Sequence, residues 1–173
     1  SPYDPKKMWK EVVQIIGKMK NSYLKKVVSS IYRENKEQLL IQPASVSMHH
    51  NYRSGFLEHV LSMAKIAEKL TPFYKLDKDL VIAGVLLHDI GKLIEISAVL
   101  EAEYTDDGNF IGHIVIGRDM VLDTISGLKG FPEELKQKLG HIILSHQGRY
   151  EWQSPKQPSF EEALLVNLID NLD

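Results

Sequence analysis

An all-α domain is the fold class this sequence predicts. Three observations carry the expectation: apolar residues recur at helical spacing along most of the chain, cap and breaker residues punctuate those stretches, and few segments alternate as strands do. About seven to nine helices fit between the breaks, bundled round a shared core. With 173 residues, 43% of them hydrophobic, residues 1–173 suit a single domain. A chain of that size buries roughly two-thirds of its unfolded surface.

Each element has its own signal. Asp4-Pro5 reads as an N-cap followed by Pro at the first helical position, and Val12, Ile15, Ile16 and Met19 then recur at helix spacing. A second amphipathic stretch runs from Tyr23 to about Leu40, with Leu24, Val27, Val28 and Ile31 on one side, and stops before Pro43. These helices of residues 1–42 are expected to pack on a core formed by 43–173. Pro43 to Gly55 is polar and reads as a loop. Ser54 to Leu70 reads as a helix that buries Leu57, Val60, Leu61, Ala64, Ile66 and Ala67. Asp77 is placed to cap the next helix, whose apolar stretch Leu80–Leu87 runs straight into His88-Asp89. Asp107-Gly108, within Glu103–Asn109, is a turn signal for a small hairpin or an irregular connection. Helices follow at 112–127, 132–146 and 159–172. Pro132 suits a first turn, and Ser159 with Glu162 suits a capping box. Gly148 to Pro158 reads as a polar loop.

Composition narrows the chemistry. The formal net charge is −2, so no global basic field gathers nucleic acid, and any polyanion must be held by local cations or bound metal. There are no cysteines, which excludes disulfides and thiolate-ligated zinc and leaves His and carboxylates as metal ligands. That usage fits a cytoplasmic protein. No apolar run reaches the ~18 residues of a membrane span. The chain opens on Ser-Pro-Tyr-Asp-Pro without an initiator Met and is expected to be a fragment of a longer protein.

Of the seven histidines, His49 and His50 lie in a predicted loop, and His59, His88, His113, His141 and His146 lie in or beside apolar helices. One such His is ordinarily a satisfied core residue. A set of them, with acids, is a different matter. His88-Asp89 ends a hydrophobic helix, where an imidazole and a carboxylate cost several kcal/mol unless paired or metal-bound. Adjacent helical residues do not share a face, so the pair needs a local bend or a metal at the helix edge to converge. Gly91 supplies backbone freedom beside it. His59 sits among Leu57, Val60 and Leu61, and Asp170 among Leu168, Ile169 and Leu172. His141 and His146 are roughly 140° apart on an ideal helix, too far to serve one ion together.

In order, His59, His88-Asp89, His113, His146 and Asp170 resemble the HD superfamily of metal-dependent phosphohydrolases. His-Asp alone is a weak signal, whereas Leu-Leu-His-Asp-Ile-Gly-Lys with an upstream His and a downstream Asp is strong. Met48–His59, Tyr104–Gly108 leading into Ile111–Gly117, Ile143–His146, Ser154-Pro155 and Ile169–Asp173 are similar to the HD domain of the YhaM-type 3'-5' exoribonucleases. That similarity covers nearly the whole chain after residue 40. Two departures stand out. The family usually has a second His after the position of His146, where this chain has Gln147. Its members also commonly carry an N-terminal OB-type domain, and the 173 residues hold none.

The resemblance implies an all-α HD-domain bundle and a two-metal site. One divalent ion would be held by His59, His88, Asp89 and Asp170, with Asp89 bridging to a second ion held also by His113 and His146. All-N/O ligation makes Mn²⁺ the first choice, with Fe, Zn or Mg as others. Asp89 and Lys92 would be the catalytic residues. Lys92, Arg53, His50 and Arg149 would bind substrate phosphate, and His141 would support a ligand from behind. Tyr52, Tyr150 and Trp152 could stack on bases, and His49 is assigned no role.

The expected activity is phosphodiester hydrolysis at the 3' end of single-stranded RNA or DNA. The alternative is hydrolysis of a small nucleotide, such as a nucleoside phosphate or cyclic nucleotide, which the weak charge favours. A second alternative is a metal-binding signalling module without catalysis, which has no need of so complete a ligand set.

Overall fold

The computed structural model describes residues 4–44, 53–97 and 103–173. Among them are seven helices of ten residues or more: α1 (Pro5–Gly17), α2 (Ser22–Glu34), α4 (Gly55–Tyr74), α5 (Lys78–Leu87), α8 (His113–Ser126), α9 (Glu133–Ser145) and α10 (Glu161–Leu172). Shorter helical pieces are α3 (Lys36–Ile41), α6 (Lys92–Glu95) and α7 (Asp106–Phe110). Two antiparallel two-residue strands, β1 (Ile96–Ser97) and β2 (Glu103–Tyr104), pair Ile96 with Tyr104. The all-α class expected from the periodicity is what the structure shows.

The centre of the bundle is α5. Every residue from Leu80 to Ile90 is buried, and α2, α4, α9 and α10 all pack on this helix. A helix apolar on all sides has no solvent face and settles where neighbours surround it. Asp77 opens it, accepting from Leu80 N–H, and Asp79 reaches across to accept from Lys20 and Asn21 N–H at the entry to α2. In the amino-terminal third, Val12, Ile15 and Ile16 of α1 and Leu24, Val27, Val28 and Ile31 of α2 join the same core. These helices lean on α4, α5 and α8.

Several boundaries differ from the sequence expectation. The stretch 23–40 breaks at Asn35, which caps the end of α2 and begins α3. Helix α4 runs past Leu70 to Tyr74 with Pro72 in its final turn, and Lys75 in the left-handed region closes it. Ile66 is only half-buried. Ser54 gives no side-chain cap, because its hydroxyl donates to Leu40 O and ties the start of α4 to the end of α3. Pro132 is the N-cap of α9 rather than its first residue. Ser159 does not cap α10: its N–H and hydroxyl are engaged by the His141 ring, and Phe160 takes the cap position without a side-chain bond.

On α10 the buried face is Ala163, Leu165, Val166 and Ile169, while Leu168 and Leu172 point outward, so the surroundings of Asp170 are less apolar than its neighbours in sequence imply. Asp107-Gly108, expected as a turn, lies inside the short helix α7, and the small strand pair β1–β2 stands just before it. No helix of the described residues is long and apolar enough to cross a membrane.

Candidate metal centre

The centre is made where α5 ends. His88 N–H gives the last four-residue bond, to Gly84 O, and the chain then tightens: Ile90 N–H goes to Leu87 O, Lys92 to Asp89 O and Leu93 to Ile90 O. This tighter winding is the local bend that lets adjacent residues share a side. With Ile90 turned to Leu87, the Leu86 carbonyl is taken by the buried Tyr32 hydroxyl at 2.5 Å. Gly91 makes the approach to α8 possible. A Cβ there would overlap the His113 carbonyl and stand 2.6 Å from Gly117 N. Gly112, at φ 87°, then turns the chain into α8 so that His113 opens the helix beside Asp89.

Asp89 stands between two groups. Its Oδ2 is 3.2 Å from His88 Nε2, 3.8 Å from His59 Nε2 and 3.4 Å from Lys92 Nζ. Its Oδ1 is 3.2 Å from both His113 Nε2 and His146 Nε2. Asp170 Oδ1 completes the first group, 3.0 Å from His59 Nε2 and 3.6 Å from His88 Nε2. One ligand atom each from His59, His88, Asp89 and Asp170 lies within 4.8 Å of the others, and the same holds for Asp89, His113 and His146. The six side chains come from α4, the α5–α6 turn, α8, the end of α9 and α10, elements far apart in sequence.

The donor set fits divalent metal. Nε2 of His88, His113 and His146 is buried without a hydrogen-bond partner. The Asp89 oxygens are near these nitrogens but not aligned as acceptors. Buried polar atoms are otherwise almost always satisfied. Imidazole nitrogens and carboxylate oxygens turned on the same small spaces are what a borderline divalent cation takes.

Each ring is held from its other side. Nδ1 of His88 meets Val85 O at 2.6 Å, and Nδ1 of His146 meets Ile143 O at 2.8 Å. Nδ1 of His59 meets Asp173 Oδ2 at 2.5 Å, and Nδ1 of His113 lies 3.3 Å from Glu95 Oε2. Glu95 also accepts the His113 backbone N–H, and Asp173 also accepts from the Ser62 hydroxyl.

The field inside the cluster is strong. Burial works against the charge on Asp89, but His88 and Lys92, with His113 and His146 alongside, hold its carboxyl well below the usual range. Burial likewise opposes the proton on His88, yet Asp89 and Asp170 push its pKa up to about 10. Against the same burial, Asp170 and Asp173 raise His59, and Asp89 and Glu95 raise His113. His146 goes the other way: burial outweighs its contact with Asp89 and lowers it. Asp170, opposed by burial, is lowered by His59 and His88.

The remaining sequence-chosen residues are placed unevenly. Lys92 Nζ donates to Ala44 O at 2.7 Å besides pairing with Asp89. Arg53 is exposed in the turn before α4. Arg149 is exposed, its guanidinium 4.9 Å from the Trp152 ring centre, in a segment that begins three residues after His146. His49, His50 and Tyr52 lie outside the described residues. His141 belongs to another place: its Nε2 accepts from Ser159 N–H at 3.0 Å and its ring packs on Phe160, joining α9 to the start of α10. Burial, with Lys156 nearby, lowers its pKa. Glu95 and Asp173 were missed from the sequence as site residues. The sole signal for Glu95 is an acid closing an otherwise apolar Leu93-Ile94 pair.

Among the described residues, then, one carboxylate at the end of a buried helix is shared by two histidine groups. A model of the HD domain family matches residues 56–173, and the chain belongs to that family. It is an HD-type phosphohydrolase domain. It is 38% identical over 174 residues to the 3'-5' exoribonuclease YhaM of Shouchella clausii (strain KSM-K16), a match covering 100% of this chain and 54% of that protein. The chain thus spans about half the length of this relative. No solved structure matches it.

Proposed function

We propose that this domain is the hydrolytic part of a 3'-5' exoribonuclease-type nuclease that cleaves phosphodiesters at the 3' end of single-stranded RNA or DNA with two divalent ions, Mn²⁺ first among them. The observation that carries this is the division of Asp89, Oδ2 toward His59 and His88 and Oδ1 toward His113 and His146. In this reading His59, His88, Asp89 and Asp170 hold one ion, and Asp89, His113 and His146 hold the other. Bound there, such a pair supplies an activated water and a clamp for phosphoryl oxygens.

The protein's own part is positional and electrostatic. Asp89, kept ionised by its neighbours, stays a ligand rather than an acid. Lys92 commits two of its donors, to Asp89 and to Ala44 O, and a third is left for a phosphate oxygen. Arg149 and Arg53 supply further cations at the surface, and His50 is assigned the same role from the sequence. Gln147, a neutral amide, stands beside His146 and adds no third imidazole to that subsite. The YhaM relative is named a 3'-5' exoribonuclease, and similarity along the whole chain supports carrying that direction over.

The test is a Mn²⁺-dependent assay on RNA oligonucleotides labelled at either end. Stepwise loss of mononucleotides from the 3' end is expected, and Asp89→Ala should abolish it. Turnover of free nucleotides with no cleavage of oligonucleotides would replace this proposal with the small-nucleotide activity. Metal binding with neither activity would point to a signalling module.

A further inference from the structure

Among the described residues four histidines face the two subsites, and the structure fixes their rings in two different ways. His88 and His146 sit just past the ends of α5 and α9, where the carbonyl three residues back is at hand: Val85 O for one, Ile143 O for the other. His59 lies in the body of α4, where preceding carbonyls serve the helix itself, and His113 opens α8 with no helical turn before it. Neither can use its own helix as an acceptor. Asp173 and Glu95 stand in that place. Each subsite therefore contains one histidine backed by a backbone carbonyl and one backed by a carboxylate.

We infer that Asp173 and Glu95 are positioning residues, one for each metal subsite, that hold Nδ1 of His59 and His113 as the donor and so turn the Nε2 lone pairs inward. The inference rests on the two-metal reading above. Carboxylates behind a ligating imidazole fix its tautomer and raise its basicity, and their loss typically lowers metal affinity about 10–100-fold. Charge supports the assignment. Asp89 and Asp170 balance only half the charge of two divalent ions, and Glu95 and Asp173 balance the rest, leaving Lys92 to meet substrate phosphate. Both carboxylates are shielded enough to act at short range, with side chains 9% exposed for Glu95 and 13% for Asp173. Glu95 is further pinned under α7, where a Cβ on Gly108 would stand 2.5 Å from the Glu95 carbonyl oxygen.

The experiment is Mn²⁺ titration of the chain by calorimetry, comparing wild type with Glu95→Gln and Asp173→Asn. Glu95→Gln keeps one oxygen for the His113 contacts, both of which fall on Oε2, and removes the charge, whereas Asp173→Asn removes the charge and turns one of the two accepting oxygens into an NH2 donor. Wild type should bind two ions. Each variant should weaken one ion by about 10–100-fold and leave the other unchanged. In a His59→Ala background, which retains the His113 subsite, Glu95→Gln should still weaken Mn²⁺ and Asp173→Asn should not. In ¹⁵N-histidine-labelled protein, each variant should move the Nδ1–H signal of its own histidine alone. Equal weakening of both ions, or no weakening, in variants with wild-type circular dichroism overturns the inference. Should Glu95→Gln fail to fold, Asp173→Asn and the His59 signal decide it. Wild type binding fewer than two ions would instead overturn the two-metal reading itself.

Discussion

Gly91→Ala is a small change with a large expected consequence. The added methyl would overlap the His113 carbonyl and stand 2.6 Å from Gly117 N and 2.8 Å from His113 C. Ordinary carbon contacts lie at about 3.5–4.0 Å, so the start of α8 must retreat by about 1 Å. All three atoms are backbone, and no rotamer change can relieve them. Overpacking of a core costs about 1–3 kcal/mol, and this case belongs at the upper end. For a chain of this length 2–3 kcal/mol corresponds to a fall in Tm of about 4–12 °C. The retreat also carries His113 Nε2 away from Asp89 Oδ1, now 3.2 Å distant, while His59, His88 and Asp170 keep their places. The expected signature is therefore lower Tm in a thermal melt and selective weakening of one of two Mn²⁺ ions. An unchanged Tm together with two undisturbed ions would refute the packing of the α5–α6 turn on α8.

Two further outcomes follow from the site. His88, raised to about 10, carries a proton near pH 7 in the metal-free protein, and His59 and His113 hold theirs more tightly than a free imidazole does, so Mn²⁺ binding must displace protons. Apparent affinity should rise from pH 6 to 8, and calorimetry in buffers of different ionisation enthalpy should show proton release; binding without release would contradict the assignment. The sign for metal-free stability is opposite: histidines raised on folding stabilise below about pH 6.5, and that contribution fades as pH climbs toward the His88 value of about 10. At the surface, Tyr150 and Trp152 are 60% and 51% exposed on the 3-10 turn Tyr150–Trp152, with Arg149 over the Trp152 ring. Trp152→Ala should weaken oligonucleotide binding by about 1–3 kcal/mol, measured by fluorescence anisotropy, without altering hydrolysis of a small phosphodiester; equal losses on both substrates would remove the stacking role.

Why the residues that converge on Asp89 could be chosen from sequence, and Glu95 and Asp173 could not, has a physical answer. His59, His88-Asp89 and His146 are ionisable groups set in apolar helical faces, a conflict visible at single-residue resolution because burial of such groups is costly without partners. What lets Asp89 reach both histidine groups is the tightened turn after Leu87, which hydrogen bonds define and residue types do not. Asp170 was selected for the right element on partly wrong grounds, since Leu168 and Leu172 face outward. Asp173 and Asn171 read as a solvated tail until α10 lays the Asp173 carboxylate against His59 and Ser62 of α4, a contact between residues 114 apart in sequence. Glu95 reads as a surface acid until α7 covers it. His141 shows the converse: an imidazole in an apolar helix like the others, it is satisfied by Ser159. Helical spacing separates His141 from His146 on α9, and it is position at the helix end, with Ile143 O free to receive Nδ1, that makes His146 the one directed at Asp89. Sequence pattern thus exposes the groups whose burial is unfavourable alone, and tertiary contact decides which of them turn toward Asp89, which stand behind those rings, and which, like His141, are satisfied elsewhere.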